Sequence, residues 1–236
     1  MKMTMKKTLV TAIILTIIPL VSMAQEKVEG EISTDFVSQY VWRGLDLGKV
    51  SIQPTLGVSY KGMSLSAWGS VGVTDSNDPT EFDLTASYTV GGLSFGVTDY
   101  WFNSPEPRYF VYASHKTSHL FEGFVGYDFN VLSLNWYTNF AGNDGVNKSG
   151  KRAYSSYVEA AVPFTLGGLD WKAVLGIVPY ATTAYETEAF SVTNISLNAS
   201  KDIEITEKFT LPVFAGVMAN PYSKKAFFFC GFTLKP

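Results

Sequence analysis

The two histidines of the chain lie close together, beside several serines, in a polar segment. His115 and His119 are four residues apart, and Ser114 and Ser118 each precede one of them. A serine activated by a histidine is the arrangement that hydrolases use to attack acyl groups. His119, however, has the parity of the apolar face in the segment that it begins, and serines are frequent along the whole chain. A loop histidine without a catalytic role explains the pattern more simply, and we expect no catalytic residue and no enzyme activity.

The sequence contains few residues that could bind a metal ion or a cofactor. Two histidines and the single thiol of Cys230 do not make up the usual zinc ligand sets. Phosphate-binding loops and calcium loops of recognisable spacing are missing from the sequence. The chain is mildly acidic and has no basic stripe, which argues against nucleic acid as a partner. We therefore expect no metal site, no cofactor and no bound nucleic acid.

Charged residues on one face of alternating segments form the more informative set. The candidate lining residues of a central passage are Arg43, Asp35, Glu81, Asp83, Glu122, Asp128, Glu159 and Lys172. Glu31, Asp170 and Lys61 share this parity, so that eight acids face three bases. Acids in excess along a narrow passage attract cations and repel anions. Arg43 is the expected basic partner of Glu81 and Asp83.

The elements that position these side chains are strands, because polar and apolar residues alternate along nearly the whole chain. In the segment 51–60, for example, Ile52, Leu56 and Val58 alternate with Gln53 and Thr55. A period of two is typical of a strand with one polar and one apolar face. The pattern predicts strands at 30–43, 51–61, 63–73, 80–90, 93–101, 119–129, 131–141, 153–164, 169–180, 190–201, 209–219 and 226–234.

The connections between these strands are alternately short and long. Lys61-Gly62 and Gly91-Gly92 are tight turns, whereas 102–118 and 142–152 are long polar loops. Short turns at one rim and long loops at the other are typical of bacterial outer-membrane barrels, and strands of this length can cross a bilayer at a tilt. The prediction is an all-β, transmembrane, antiparallel up-and-down barrel of about twelve strands, with the long loops outside the cell.

The first residues have the three parts of a secretory signal peptide. Three lysines precede the apolar run 8–21, which ends at Ser22-Met23-Ala24. The run is too short for a membrane helix, which needs about 20 apolar residues. We expect residues 1–24 to be a cleaved signal peptide and 25–236 to be the barrel. Cleavage removes three of the 18 basic residues and moves the net charge from −3 to −6.

A soluble barrel or sandwich is the main alternative fold, because parity alone does not say which face points inward. Aromatic placement favours the membrane barrel. On the apolar faces, aromatic residues gather towards the strand ends, as at Trp42 and Trp101 on one side and Tyr60 and Trp171 on the other. Two such girdles border the lipid-facing band of a membrane barrel, whereas a soluble core places its largest residues in mid-strand.

The segment 38–44, SQYVWRG, resembles the first strand of the TorF-type porin family, bacterial outer-membrane barrels also described as Gcw_chp-type proteins. The following Ser51-Ile52-Gln53-Pro54, the stretch 121–127 and Asn220-Pro221 before the last strand are also similar to that family. The resemblance touches both ends and the middle of the chain. It implies a barrel and an outer-membrane location, and it implies no substrate and no catalytic residue.

Together these patterns predict a protein of the cell outer membrane whose partners are membrane lipid and small solutes. A barrel of twelve strands has a lumen of intermediate width, between the filled barrel of eight strands and the open porin of sixteen. Inward-facing Trp68, Phe124, Tyr137 and Tyr157 are large enough to plug the lumen.

The leading hypothesis is a small diffusion channel for cations or small polar solutes. A plugged structural or surface-interaction barrel is the second hypothesis, with the 102–118 loop as its contact site, and an outer-membrane enzyme is a distant third. The oligomeric state is left open.

Overall fold

The computed structural model describes residues 27–75, 77–113 and 116–236 of the chain. The predicted signal peptide, residues 1–24, lies outside the described residues, as do Ser114 and His115.

The described residues form an all-β fold of fourteen strands. The strands are β1 Glu29–Val37, β2 Tyr40–Trp42, β3 Leu45–Gly48, β4 Ser51–Tyr60, β5 Met63–Gly72, β6 Glu81–Val90, β7 Leu93–Phe102, β8 His119–Asp128, β9 Ser133–Gly142, β10 Ser156–Leu166, β11 Leu169–Val178, β12 Ser191–Thr206, β13 Phe209–Asn220 and β14 Lys225–Leu234. A short 3-10 helix at Thr183–Tyr185 lies in the loop between β11 and β12. No helix in this part of the chain is long and apolar enough to cross a bilayer.

Twelve of the strands close into one antiparallel barrel. Each barrel strand pairs with its neighbours in sequence, and β1 closes the ring by pairing with both β4 and β14. The remaining strands, β2 and β3, pair only with each other as a separate hairpin. The predicted fold class, an all-β up-and-down barrel of twelve strands, is confirmed.

The prediction of a single strand at 30–43 is wrong. The barrel strand ends at Val37, and the chain then turns back at Arg43-Gly44 to pair β2 with β3. Both turn residues have positive φ, 50° and 89°, as a two-residue hairpin turn requires. The polarity continues to alternate through the break because the hairpin is itself a pair of strands, so periodicity alone did not reveal it.

The predicted strand at 190–201 is too short. Strand β12 continues to Thr206, paired with β13, and the connection that follows is the two-residue turn Glu207-Lys208. The alternation Asp202-Ile203-Glu204-Ile205 accounts for the extension, because it keeps one polar and one apolar face in register with β13. The turn is then as short as the others at that rim.

The apolar face of the barrel points outward. Leu56 and Leu134 keep 59% and 43% of their surface exposed, and Leu65, Val97 and Val217 are exposed to a similar extent. Polar residues of opposite parity, such as Glu122, face the lumen and are buried. This arrangement is the reverse of a soluble barrel, whose interior is filled by its apolar side chains.

Candidate functional site

The hairpin of β2 and β3 folds into the lumen from the rim that carries the long loops, called here the loop rim. Its tip is held at β13, two strands from β1 in the ring, where the Asn220 side-chain amide donates to the Gly44 carbonyl at 3.1 Å. The hydroxyl of Tyr40 donates to Glu81 on β6 at 2.9 Å, and the Tyr40 ring packs against Trp68. The hairpin is therefore attached to strands on several sides of the barrel.

Arg43, at the tip of the hairpin, is the centre of this packing. Its Nη1 lies 2.6 Å from Oε2 of Glu122, and its Nη2 lies 3.0 Å from Oε1 of the same carboxylate. Nη1 also donates to the Tyr185 hydroxyl at 2.8 Å. The guanidinium carbon lies 4.0 Å from the ring centre of Tyr137 and 4.8 Å from that of Tyr157. The charge is thus held by a paired carboxylate and by aromatic faces, both of which bind guanidinium well.

The walls around Arg43 are fixed by further contacts of their own. Tyr100 on β7 donates its hydroxyl to Glu122 at 2.9 Å. Asn194 on β12 donates to the Tyr157 hydroxyl at 3.0 Å, and Tyr157 donates to Glu159 at 3.2 Å. Burial raises the pKa of Tyr185, which lies in the loop outside the strands, to about 12, so this phenol stays neutral. Glu122 is consequently the anion that balances Arg43.

The expected pairing of Arg43 with Glu81 and Asp83 is wrong. Arg43 lies on the hairpin tip rather than at the end of a barrel strand, so its side chain reaches β8 and binds Glu122. Glu81 takes the Tyr40 hydroxyl instead. Asp83 is only 8% exposed, and its Oδ1 has no hydrogen-bond partner in the part of the chain that the structure describes. Two inward acids of β6 are therefore buried beside the hairpin, and no described base is in contact with them.

Of the other predicted lining residues, Glu159 borders this cluster through Tyr157, whereas Asp35, Asp128 and Lys172 lie apart from it. Asp35 on β1 accepts a hydrogen bond from Thr233 at 2.6 Å, and Glu159 interacts through Tyr157. Asp128 and Lys172 lie towards the other rim, where the chain makes tight turns, and both are exposed. Asp128 accepts the Asn130 amide at 2.7 Å and so caps the turn after β8. The structure brings Arg43 and Glu122 together, places Glu81 and Asp83 close by and Glu159 beside Tyr157, and leaves Asp35, Asp128 and Lys172 elsewhere.

Sequence reasoning missed Tyr40 and Tyr185 as parts of this site. Tyr185 is almost fully buried although it comes from a loop, and it stacks on Trp42 and Tyr157. No periodic pattern marks a loop residue as buried. The signal that could have found the hairpin is Gly44 directly after Arg43, a pair suited to a tight reversal.

His119 is fully buried, and both of its ring nitrogens are in contact with oxygen atoms. It faces outward from the start of β8, with Nδ1 2.8 Å from Oδ1 of Asp99 and Nε2 2.5 Å from the carbonyl oxygen of Tyr109. Tyr109 and Tyr112 also cover its ring. Both ring nitrogens are thus engaged by oxygen acceptors, and His119 ties the 103–113 segment to the outer wall.

One serine stands in a sequence of nucleophile-elbow type, Gly92-Leu93-Ser94-Phe95-Gly96. That motif works where a strand turns sharply into a helix. Here it runs from a hairpin turn into β7, and the Ser94 hydroxyl lies 3.2 Å from that of Thr89 on the neighbouring strand. The residues form an ordinary barrel hairpin.

No group of three or more histidine, cysteine or acidic side chains able to hold a metal ion occurs among residues 27–75, 77–113 and 116–236. No protein-family model matches the sequence, and no curated protein is significantly similar to it. The resemblance to TorF-type porins therefore stays a prediction.

Proposed function

We propose that this protein is an outer-membrane diffusion channel for small cations, kept narrow by the hairpin of β2 and β3. The observation that carries the proposal is the cluster of three buried inward acids, Glu81, Asp83 and Glu122, against which the hairpin places one base, Arg43. Ionised acids that line a narrow passage concentrate cations and exclude anions.

The exterior of the barrel supports a location in a bilayer. Most barrel strands are 10 residues long, and their outward side chains are apolar and exposed. About nine to eleven tilted residues cross the hydrocarbon layer of a membrane. Strand β1 begins and β14 ends at the rim with tight turns, which is the periplasmic rim in bacterial barrels.

Introducing a positive charge on each face of the barrel wall tests the location in a bilayer. Leu134 points outward and Asn135, one position along β9, points inward. We expect Leu134→Arg to cost about 2–4 kcal/mol of barrel stability in lipid, whereas Asn135→Arg should cost far less. The measurement is the unfolding free energy in vesicles, together with recovery of the unmodified protein in the outer-membrane fraction. Equal costs, or recovery as a soluble periplasmic protein, would contradict the bilayer location.

Ion selectivity tests the channel itself. Planar-bilayer recording should show potassium passing more readily than chloride. Neutralising Glu81 and Asp83 together, as Glu81→Gln with Asp83→Asn, should reduce that preference by about twofold or more, because Glu122 is already balanced by Arg43. Asp128→Asn is the matched control, since this acid is exposed near the other rim. Chloride selectivity in the unmodified protein would refute the electrostatic argument.

A second candidate function has two observations in its favour. The hairpin and Tyr185 pack tightly across the lumen, and Phe110 in the loop beyond β7 is 86% exposed. A permanently closed barrel that presents its loops at the cell surface would have these features. No conductance from the unmodified protein or from Arg43→Ala, with both folded in the bilayer, would favour this candidate.

A further inference from the structure

The side chains around Arg43 form a receptor that is built almost entirely from parts other than the hairpin. Glu122 comes from β8, Tyr137 from β9, Tyr157 from β10 and Tyr185 from the loop after β11. We call these four residues the guanidinium cage. Only the Trp42 ring, 4.2 Å from the guanidinium carbon, belongs to the hairpin itself.

The cage is held in shape by contacts that do not involve Arg43. Tyr100 donates to Glu122, and Asn194 donates to Tyr157. The rings of Tyr157 and Tyr185 are stacked at 5.9 Å, and Tyr137 packs against Tyr157 at 6.2 Å. A site whose walls are supported from behind keeps its geometry when the occupant leaves, which lowers the cost of binding a replacement.

The geometry of the cage selects a planar, forked cation. Two nitrogens of Arg43 meet the two oxygens of Glu122, a third contact goes to the Tyr185 hydroxyl, and the tyrosine rings flank the plane. A guanidinium group fills all of these positions together. An ammonium group is a point charge that is more strongly hydrated and does not reproduce the fork or the stacking.

We propose that the guanidinium cage is a binding site for solutes that carry a guanidinium group, and that Arg43 occupies it when no solute is bound. The proposal rests on the proposed channel function, and it names the class of cation that the channel recognises. A solute bound at Glu122 would displace Arg43 and release the hairpin tip. Glu81 and Asp83, which are buried beside the hairpin, would be the next groups to attract the solute.

The concentration at which a free solute competes with Arg43 for the cage depends on how the hairpin holds Arg43 there. A group on a short flexible linker has an effective concentration of roughly millimolar. Contacts at Tyr40 and Gly44 also hold the hairpin, so the effective concentration of Arg43 is at least that high. Free guanidinium or L-arginine should therefore open the unmodified channel only at millimolar concentrations or above. In Arg43→Ala the competitor is gone, so the same ligand should bind at lower concentration.

The binding test uses the Arg43→Ala protein in detergent, guanidinium chloride as the ligand and tryptophan fluorescence as the readout, since Trp42 borders the site. We expect binding about tenfold tighter than in the double variant Arg43→Ala with Glu122→Gln, because a charge-assisted pair is lost there. Arg43→Ala with Asp128→Asn is the matched control and should bind like Arg43→Ala, since Asp128 is an inward acid of the same strand outside the cage. Equal affinity in all three proteins would overturn the proposal.

A second arm uses the unmodified protein and does not depend on the folding of any variant. L-arginine should enter proteoliposomes several-fold faster than L-lysine, which has the same charge. Measurable entry of both amino acids at equal rates would overturn the guanidinium site while leaving the cation channel intact. Entry of neither, combined with tenfold selective binding in the detergent test, would support the site and reject the channel.

Discussion

The lumen has two halves that differ although the same strands line both. Strand β8 passes through each half and carries an inward acid in each: Glu122 is 1% exposed beneath the hairpin, whereas Asp128 is exposed at the rim with tight turns. Lys172 on β11 is likewise exposed in that second half. Both residues are acids with the same facing. Glu122 is covered by Arg43 of the hairpin, so the inserted hairpin determines the environment of the loop-side half.

The largest effect is expected from Arg43→Ala. This change leaves Glu122 buried without its cation, and removing one partner of a buried ion pair costs about 3–5 kcal/mol. The measurement is the unfolding free energy in detergent or vesicles. Lys172→Ala, in the half at the rim with tight turns, is the control. Its unfolding free energy should stay within about 0.5 kcal/mol of that of the unmodified protein. Similar losses in the two variants would remove the distinction between the halves.

A somewhat smaller effect is expected at the other residue of the hairpin tip. Gly44 has φ 89°, and a Cβ there would collide with the Thr193 carbonyl oxygen of the barrel wall. Gly44→Ala should therefore prevent the hairpin from seating fully and cost about 1–3 kcal/mol. The readout is protection of the hairpin from protease added at the loop rim.

Gly150→Ala separates backbone strain from the collision. Gly150 also has positive φ, 69°, but a Cβ at that position meets nothing within 4 Å. Its substitution should leave the protease pattern of the hairpin unchanged. If both variants expose the hairpin equally, the close contact with Thr193 is not what seats it.

The smallest effect is expected from Tyr185→Phe. The change removes one hydrogen-bond acceptor of Arg43 and keeps the stacked ring, so the loss should be about 1 kcal/mol. Thermal unfolding midpoints of single and double variants measure it. In the Arg43→Ala background the same change should cost almost nothing, because the hydroxyl then has lost its donor. A full cost in both backgrounds would show that Tyr185 acts independently of Arg43.

The barrel could be predicted from the sequence because its signal is repeated in every strand. Alternation at Leu134 and Asn135, or at Ile52 and Gln53, separates the polar from the apolar face of each strand and is independent of distant contacts. Closed rings of this kind add strands by local hairpins, so each turn such as Lys61-Gly62 supplies its own evidence.

The site was harder to predict because it depends on where a short segment folds. Arg43 and Glu122 are 79 residues apart, and Arg43 and Tyr185 are 142 apart. Parity placed Arg43 and Glu122 on inward faces but could not pair them. Only the position of the hairpin in the lumen decides that Arg43 reaches β8 rather than β6.

The most direct test of the account is the single-channel conductance of Arg43→Ala beside that of Lys172→Ala in the same planar bilayer, each protein first shown to be folded by its heat-dependent shift on a gel. If the hairpin closes the loop-side half, Arg43→Ala should conduct several-fold more than the unmodified protein and still prefer potassium to chloride. Lys172→Ala should conduct like the unmodified protein. Equal conductance of all three proteins, or a preference for chloride in Arg43→Ala, would contradict the account.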